Sequence, residues 1–390
     1  MTTSTDTPSD TVTQIPIMKP WMGIEEQQAA ADAVASGWIA QGPRVAEFEA
    51  AFAERFRTPH AVAVSSCTTG LHLALHVAGI GRGDDVVVPS LSFIATANAA
   101  RYVGAEPVFA DIDLATANLT ADTVEAALTP ATRAVVVVDQ GGMPADLDAV
   151  RAICEPRGII VVEDAACAAG STYHGEPVGS DALLAAFSFH PRKILTTGEG
   201  GMVTTTDASL AERMVRLRQH GMSMSAADRH AAGGAVIEQY LEVGFNYRMT
   251  DIQAAVGLVQ LGRLDQVIER RRELAGRYHA GLQDIPGLLL PVDPTWGTTN
   301  FQSYWVTLPD ALADRRNDLM QVLADQGIST RRGIMASHLE PAYEGHPHAD
   351  LPVTERLTNG SIILPLFHQF TESDQDRVIA SFRSALEDLS

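Results

Sequence analysis

The strongest constraint on the fold is a set of short, almost wholly apolar runs: Ala61-Val-Ala-Val-Ser, Asp85-Val-Val-Val-Pro, Glu106-Pro-Val-Phe-Ala, Ala134-Val-Val-Val-Val, Gly158-Ile-Ile-Val-Val and Ala185-Ala-Phe-Ser-Phe. A strand with one wet face alternates apolar and polar residues; these runs do not, so both faces of each strand must be covered. Helical patterns separate them, among others over 121–128 and 146–155. Strand and helix in alternation predict an α/β fold, a mostly parallel central sheet covered by helices. Function in such sheets gathers at the carboxyl ends of the strands.

Two residues stand at such ends. Asp164 closes the run Val161-Val-Glu-Asp, where a carboxylate is either solvated or paired with a cation. Lys193 lies in Phe187-Ser-Phe-His-Pro-Arg-Lys-Ile-Leu-Thr-Thr-Gly-Glu-Gly-Gly-Met-Val, between a predicted strand and a glycine turn. Of the 28 Lys and Arg residues only Lys19 and Lys193 are lysines, so ordinary needs for positive charge are met by arginine. A guanidinium stays protonated, whereas a desolvated ammonium can release its proton and become a nucleophilic amine. Lys193 is therefore a candidate for covalent chemistry. Lys19 precedes a proline, follows a polar tail and lacks a strand-turn context; it reads as a surface contact.

Ser65-Ser-Cys-Thr-Thr-Gly joins the first apolar run to a helical pattern at Leu71-His-Leu-Ala-Leu-His. A strand, a polar turn and a helix start aim backbone N–H groups at an anion, with the hydroxyls of Thr68 and Thr69 as further donors; the same residues would also make an ordinary helix cap. Gly79-Ile-Gly-Arg-Gly-Asp-Asp lies between a helix and a strand, the wrong order for a dinucleotide loop.

At 390 residues the chain exceeds what one core usually serves. The pattern predicts a disordered tail over 1–13, a large domain over 14–255 and a smaller α/β domain over 256–390 that includes a long connecting helix, about 250–283. A net charge of −20 argues against nucleic acid or an anionic membrane as partner. Cys67, Cys154 and Cys167 lack paired spacing, and His346-Pro-His348 lacks neighbouring carboxylate or thiol ligands, so neither disulfides nor a metal are expected. With no apolar run of membrane-spanning length and no signal-peptide layout, a cytoplasmic protein is expected.

The lysine segment, the run Gly244-Phe-Asn-Tyr-Arg-Met-Thr-Asp-Ile-Gln-Ala-Ala-Val-Gly-Leu and Trp38-Ile-Ala-Gln-Gly-Pro-Arg-Val closely resemble the DegT/DnrJ/StrS family of aminotransferases. These use pyridoxal 5′-phosphate (PLP) and mostly aminate nucleotide-linked ketosugars. The resemblance spans about 15–385 and implies the fold type I architecture of PLP-dependent aminotransferases, as a homodimer with shared active sites. It implies that Lys193 holds PLP and shuttles a proton, and that Asp164 pairs with the pyridine nitrogen. Thr68, Thr69 and Ser188 would bind the phosphate, and Phe93 would lie against the ring. Cys167 stands where relatives often carry Gln or His near the ring hydroxyl, and Asn246 would reach the phosphate of the partner's site. Cys67 replaces a family Gly, and Asp139 stands where His is frequent. Ser329-Thr-Arg-Arg-Gly with His338 resembles the substrate-side segment, which makes Arg331 and His338 substrate candidates; Arg331 and Arg332 are either a diphosphate site or a solvated basic pair. The resemblance implies glutamate or glutamine as amino donor and a ketosugar as acceptor. Sugar dehydratases of the family carry His at the lysine position, so Lys193 favours transamination. A cyclitol or other ring-ketone aminotransferase with the same cofactor residues, and a non-catalytic PLP-binding regulator, remain open.

Overall fold

The computed structural model describes residues 13–224 and 237–389; apart from Thr13, the tail expected over 1–13 lies outside them. Its centre is a sheet of seven strands: β1 (His60–Val64), β2 (Asp85–Pro89), β3 (Glu106–Ala110), β4 (Thr132–Val138), β5 (Ile160–Asp164), β8 (Ala185–Ser188) and β9 (Gly201–Thr205). The two-residue strands β6 (Thr172–Tyr173) and β7 (Glu176–Pro177) form a separate hairpin that pairs with Gly297–Thr298. The order across the sheet is β1-β9-β8-β5-β4-β2-β3. All neighbours from β8 to β3 are parallel, and β9 runs antiparallel to both β8 and β1. Six strands therefore point one way, so the segments that follow β1, β2, β5 and β8 emerge along the same edge.

The apolar runs serve two cores at once. On β4, Val135 and Val137 enter the core on one face, whereas Ala134 and Val136 enter the core on the other; β2 divides Val87 from Val86 and Val88 in the same way. All seven are fully buried, which is the two-sided covering that the missing alternation required.

A third core belongs to the second half of the chain. Tyr304–Thr307, Ser361–Leu364 and Arg331–Arg332 form an antiparallel sheet with Ser361–Leu364 in the middle. The helices Arg316–Asp325 and Glu372–Leu389 supply Leu319, Leu323, Val378 and Phe382 to its core, and Ile15 joins from the start of the chain. No helix among the described residues is long and apolar enough to cross a membrane.

The single helix expected over 250–283 is two, Asp251–Gly262 and Leu264–Leu282. Arg263 breaks them at φ −103°, ψ −3°, with its guanidinium ion-paired with Glu25 at 2.6 Å and Glu26 at 2.9 Å. Gly262, a poor helix former, precedes the break. The second helix begins in the first core with Leu264 and Val267 and ends in the third with Leu274, Tyr278 and Leu282.

Arg271, 2% exposed, lies between those two sets on the same helix. It donates from Nε to Phe301 O at 2.8 Å, from Nη1 to Leu366 O at 3.0 Å and from Nη2 to Gln302 O at 2.6 Å. Burial presses its pKa down to about 9, so it remains a cation at neutral pH. Arg271→Met should therefore leave three carbonyls without a donor and destabilise the protein by about 3 kcal/mol or more, read as a lowered urea midpoint. An unchanged midpoint would show that water takes the guanidinium's place.

Candidate active site

β5 carries Asp164 to the edge where the parallel strands end. Its carboxylate is only 4% exposed. Oδ2 accepts from Thr96 Oγ1 at 2.8 Å and Oδ1 from the Ala166 N–H at 3.2 Å, and the Cys67 thiol lies 3.9 Å from Oδ1. Burial raises its pKa against the lowering effects of Thr96 and of the Lys193 charge. A buried carboxylate in this balance is completed by a cation.

Lys193 follows β8 in a turn closed by backbone bonds, from Lys193 N to His190 O at 2.8 Å and from Thr197 N to Phe189 O at 3.0 Å. Its Nζ lies 2.9 Å from Cys167 Sγ. Burial acts to lower the ammonium's pKa, but Cys167, Cys67 and Asp164 outweigh it and hold the group above the ordinary lysine value. Until that surrounding charge is compensated, the amine is a cation and not a nucleophile.

The helix Cys67–Val77 opens beside these residues. Ser66 caps it by accepting from the Thr69 N–H at 3.2 Å, while Thr69 Oγ1 accepts from the Ser66 N–H at 3.1 Å and donates to Ser66 O at 2.8 Å. The Thr69 hydroxyl is therefore committed to the cap, and the first-turn N–H groups of Cys67 and Thr68, which have no intrahelical acceptor, are left with the Thr68 hydroxyl to face an anion. A Cβ at Gly201 of β9 would stand 2.7 Å from Cys67 N, so this turn needs glycine beneath it. The Cys67 thiol turns inward, 3.8 Å from Ala186 O.

The other expected residues fall in two groups. Ser188 is buried at the end of β8, and Phe93, 69% exposed, stands between β2 and the helix Ala95–Tyr102. Asn246 is exposed and bridges to Gln219 through the backbone. Arg331 is exposed; burial of part of it and the like charges of Arg192 and Arg332 lower its pKa, which sets it beside the lysine turn. His338 is buried: its Nδ1 lies 2.6 Å from Ser90 Oγ, its Nε2 lies 3.6 Å from Glu355, and burial followed by His348 lowers its pKa. Among the described residues no group of three or more His, Cys, Asp or Glu is arranged to hold a metal ion.

Three residues escape sequence reasoning. Thr96 sits one turn past Phe93 and could have been found by asking what donates to Asp164. Asn300 donates from Nδ2 to Cys167 O at 2.8 Å and to Ala169 O at 2.9 Å, and the Gln302 side chain bonds the backbone on both sides of Lys193. Their partners lie more than 100 positions away, and no local pattern marks them.

The sequence profile described as the DegT/DnrJ/EryC1/StrS aminotransferase family matches residues 20–383. The spore coat polysaccharide biosynthesis protein SpsC of Bacillus subtilis (strain 168) is 40% identical over 378 residues, 96% of this chain and 97% of its own. The aminotransferase TlmJ from Streptoalloteichus hindustanus superposes with a TM-score of 0.88 at 39% identity, covering 96% of this chain and 99% of TlmJ. Spr1654 from Streptococcus pneumoniae, solved in a PLP-form, superposes with a TM-score of 0.90 at 28% identity, covering 97% of this chain and 100% of that one.

Behind the site, Asp139 and Glu163 are fully buried at adjacent strand ends. Asp139 Oδ1 accepts from the Ala145 N–H at 2.9 Å, and Glu163 has the Gly179 backbone and the Asp139 carboxyl as its hydrogen-bonding neighbours. The two carboxyls face each other. Burial and then Glu163 raise Asp139 well above the usual range; burial pushes Glu163 up to about 7 against the opposing charge of Arg151. The folded pair thus keeps a proton that the unfolded chain releases above about pH 4.5. Its contribution to stability is present at low pH and is lost as pH rises from about 5 through 7. Melting temperatures at pH 5.5 and pH 8 should fall between the two in the wild type, and fall less in Glu163→Gln; equal slopes would mean that the pair is ionised when folded.

Proposed function

The chain belongs to the DegT/DnrJ/EryC1/StrS aminotransferase family and is a PLP-dependent sugar aminotransferase; we propose that Lys193 carries the cofactor, that glutamate or glutamine donates the amino group, and that a nucleotide-linked ketosugar receives it. The observation that carries this reading is the placement of Lys193 Nζ against Cys167 within the field of the buried Asp164, at the carboxyl ends of parallel strands.

The residues present fit the cofactor group by group. Asp164, raised by burial, offers a carboxylate for a protonated ring nitrogen. The Cys67 and Thr68 N–H groups with the hydroxyls of Thr68 and Ser188 offer donors for a phosphate, and exposed Phe93 offers a ring face. When bound, PLP supplies the electron sink for the substrate carbon. Lys193 would hold the cofactor through Nζ and, once released by the donor's amine, would carry a proton as a free amine between the substrate carbon and a carbon of the cofactor. Asp164 keeps the positive charge on the ring nitrogen, and Thr96 keeps Asp164 in place. Cys167, held against Nζ, orients the amine.

Arg331 and Arg192 have no ion-pair partner among the described residues, and their like charges approach each other. An anionic group between them relieves that repulsion, which supports a diphosphate on the acceptor. We place His338 behind this segment, where its bond to Ser90 fixes the loop after β2.

The site is completed by a second copy of the chain. Ile237 is 91% exposed and Val243 88%, with Tyr240 and Leu241 also exposed, a patch that association would cover. In the same segment the exposed Asn246 side chain has no bond among the described residues, and we assign it to the phosphate of the partner subunit's site. The acidic chain with its free thiols suits a reducing, cytoplasmic setting without nucleic acid.

Borohydride reduction of the holoenzyme should fix the cofactor on Lys193, and L-glutamate or L-glutamine should bleach its visible absorbance beforehand. An adduct on Lys19 refutes the lysine assignment, and absorbance that neither donor changes identifies a silent binder. For the shared site, Lys193→Ala and Asn246→Ala homodimers should each be impaired, while a purified mixed dimer recovers up to half of wild-type turnover from its one intact site. A mixed dimer that recovers nothing would place Asn246 in its own subunit's structure.

A further inference from the structure

We propose that Gln302 is a positioning residue for Lys193, its carboxamide fixing the peptide on both sides of the lysine so that Nζ is delivered to one place; this rests on Lys193 being the residue that carries the cofactor. The geometry is a two-ended clamp. Gln302 Oε1 accepts from the Ile194 N–H at 3.0 Å, and Gln302 Nε2 donates to Arg192 O at 2.6 Å. Those are the residues immediately before and after Lys193, so its Cα lies between two fixed points.

The clamp is itself held. Gln302 N donates to Asn300 Oδ1 at 2.7 Å, and Gln302 O accepts from the buried Arg271 guanidinium at 2.6 Å. All four polar groups of Gln302 therefore have partners, and the side chain is 7% exposed. Asn300, two residues earlier in the strap formed by residues 299–303, donates to Cys167 O and Ala169 O. One short segment thus sets both the lysine and the thiol that touches its amine. It starts from the helix Leu264–Leu282 through Arg271, so the lysine's place is referred to the frame of the whole molecule and not to its own turn.

A flexible lysine stem tolerates small backbone shifts when it only holds a charge. It does not when the same amine must attack a carbon and afterwards move a proton at it, because misplacement by about 1 Å costs about 100-fold in rate. A polar side chain that only filled a buried gap would need one partner per atom anywhere; this one has both partners on the peptides flanking the reactive residue.

The test uses the full-length enzyme with Gln302→Met, which keeps length and loses both bonds, and Gln302→Glu, which keeps the acceptor for Ile194 and loses the donor to Arg192. The readouts are hydrogen exchange at the Ile194 amide, in apo- and holoenzyme, and the single-turnover rate with L-glutamate or L-glutamine, counted per borohydride-trapped cofactor. In Gln302→Met, Ile194 exchange should rise at least about 10-fold while exchange in β4 and β5 is unchanged, and the rate should fall about 10- to 100-fold with half-saturation by the donor within about twofold of wild type. Gln302→Glu should keep Ile194 protected and lie between the other two in rate. A Gln302→Met rate per trapped cofactor within twofold of wild type overturns the positioning role, as does a rate loss that follows a general loss of exchange protection. If the wild-type adduct lies elsewhere than Lys193, the lysine assignment fails and the inference with it, whereas the Ile194 exchange of the apoenzyme still reports whether the clamp exists.

Discussion

Arg271 is a buried cation whose partners are carbonyl oxygens, on Phe301, Gln302 and Leu366, and not a carboxylate. Such a group is stable only while all its acceptors stay in place, since any one that leaves exposes a charge to an apolar surrounding. The bonds therefore work in both directions: the guanidinium fixes the strap from 299 to 303, and the strap makes it possible to bury the guanidinium. From the strap the constraint passes to the lysine turn through Gln302 and to the Cys167 turn through Asn300. The active-site edge of the parallel sheet and the core of the second half of the chain meet in that one loop.

The electrostatics of the edge are built from acids that are hard to ionise. Asp139, Glu163 and Asp164 stand at the ends of two adjacent strands, all three raised by burial. Only Asp164 receives a hydroxyl from Thr96 and the field of Lys193. One carboxylate is thereby made ready for a cation while the pair behind it stays partly protonated, and the local charge remains small. Two like charges added beside Asp164 in that space would raise it further.

What was legible in the sequence follows from periodicity and from rare residues. Unbroken apolar strands can only be covered on both faces, and that alone placed Asp164 and the segment of Lys193 at one edge. The scarcity of lysine isolated Lys193. What was not legible depends on distance along the chain or on competition for one hydroxyl. Thr69 reads equally as anion donor and as cap, and only the geometry shows its oxygen turned back to Ser66. The continuous helical pattern through 250–283 conceals the break at Arg263, because the ion pairs with Glu25 and Glu26 that occupy that side chain come from the first helix of the chain. His338 resembles a substrate contact by its segment, and the contact of its Nδ1 with Ser90, 248 positions away, is invisible in that segment. Gln302 and Asn300 are ordinary loop residues until the chain brings positions 167 and 193 to them.

The helix Leu264–Leu282, 19 residues and therefore roughly 28 Å long, is embedded in one core at its first turn and in another at its last. A beam clamped at both ends transmits torque but resists shear. The two cores therefore cannot slide past each other without bending an α-helix or pulling Arg271 from its carbonyls.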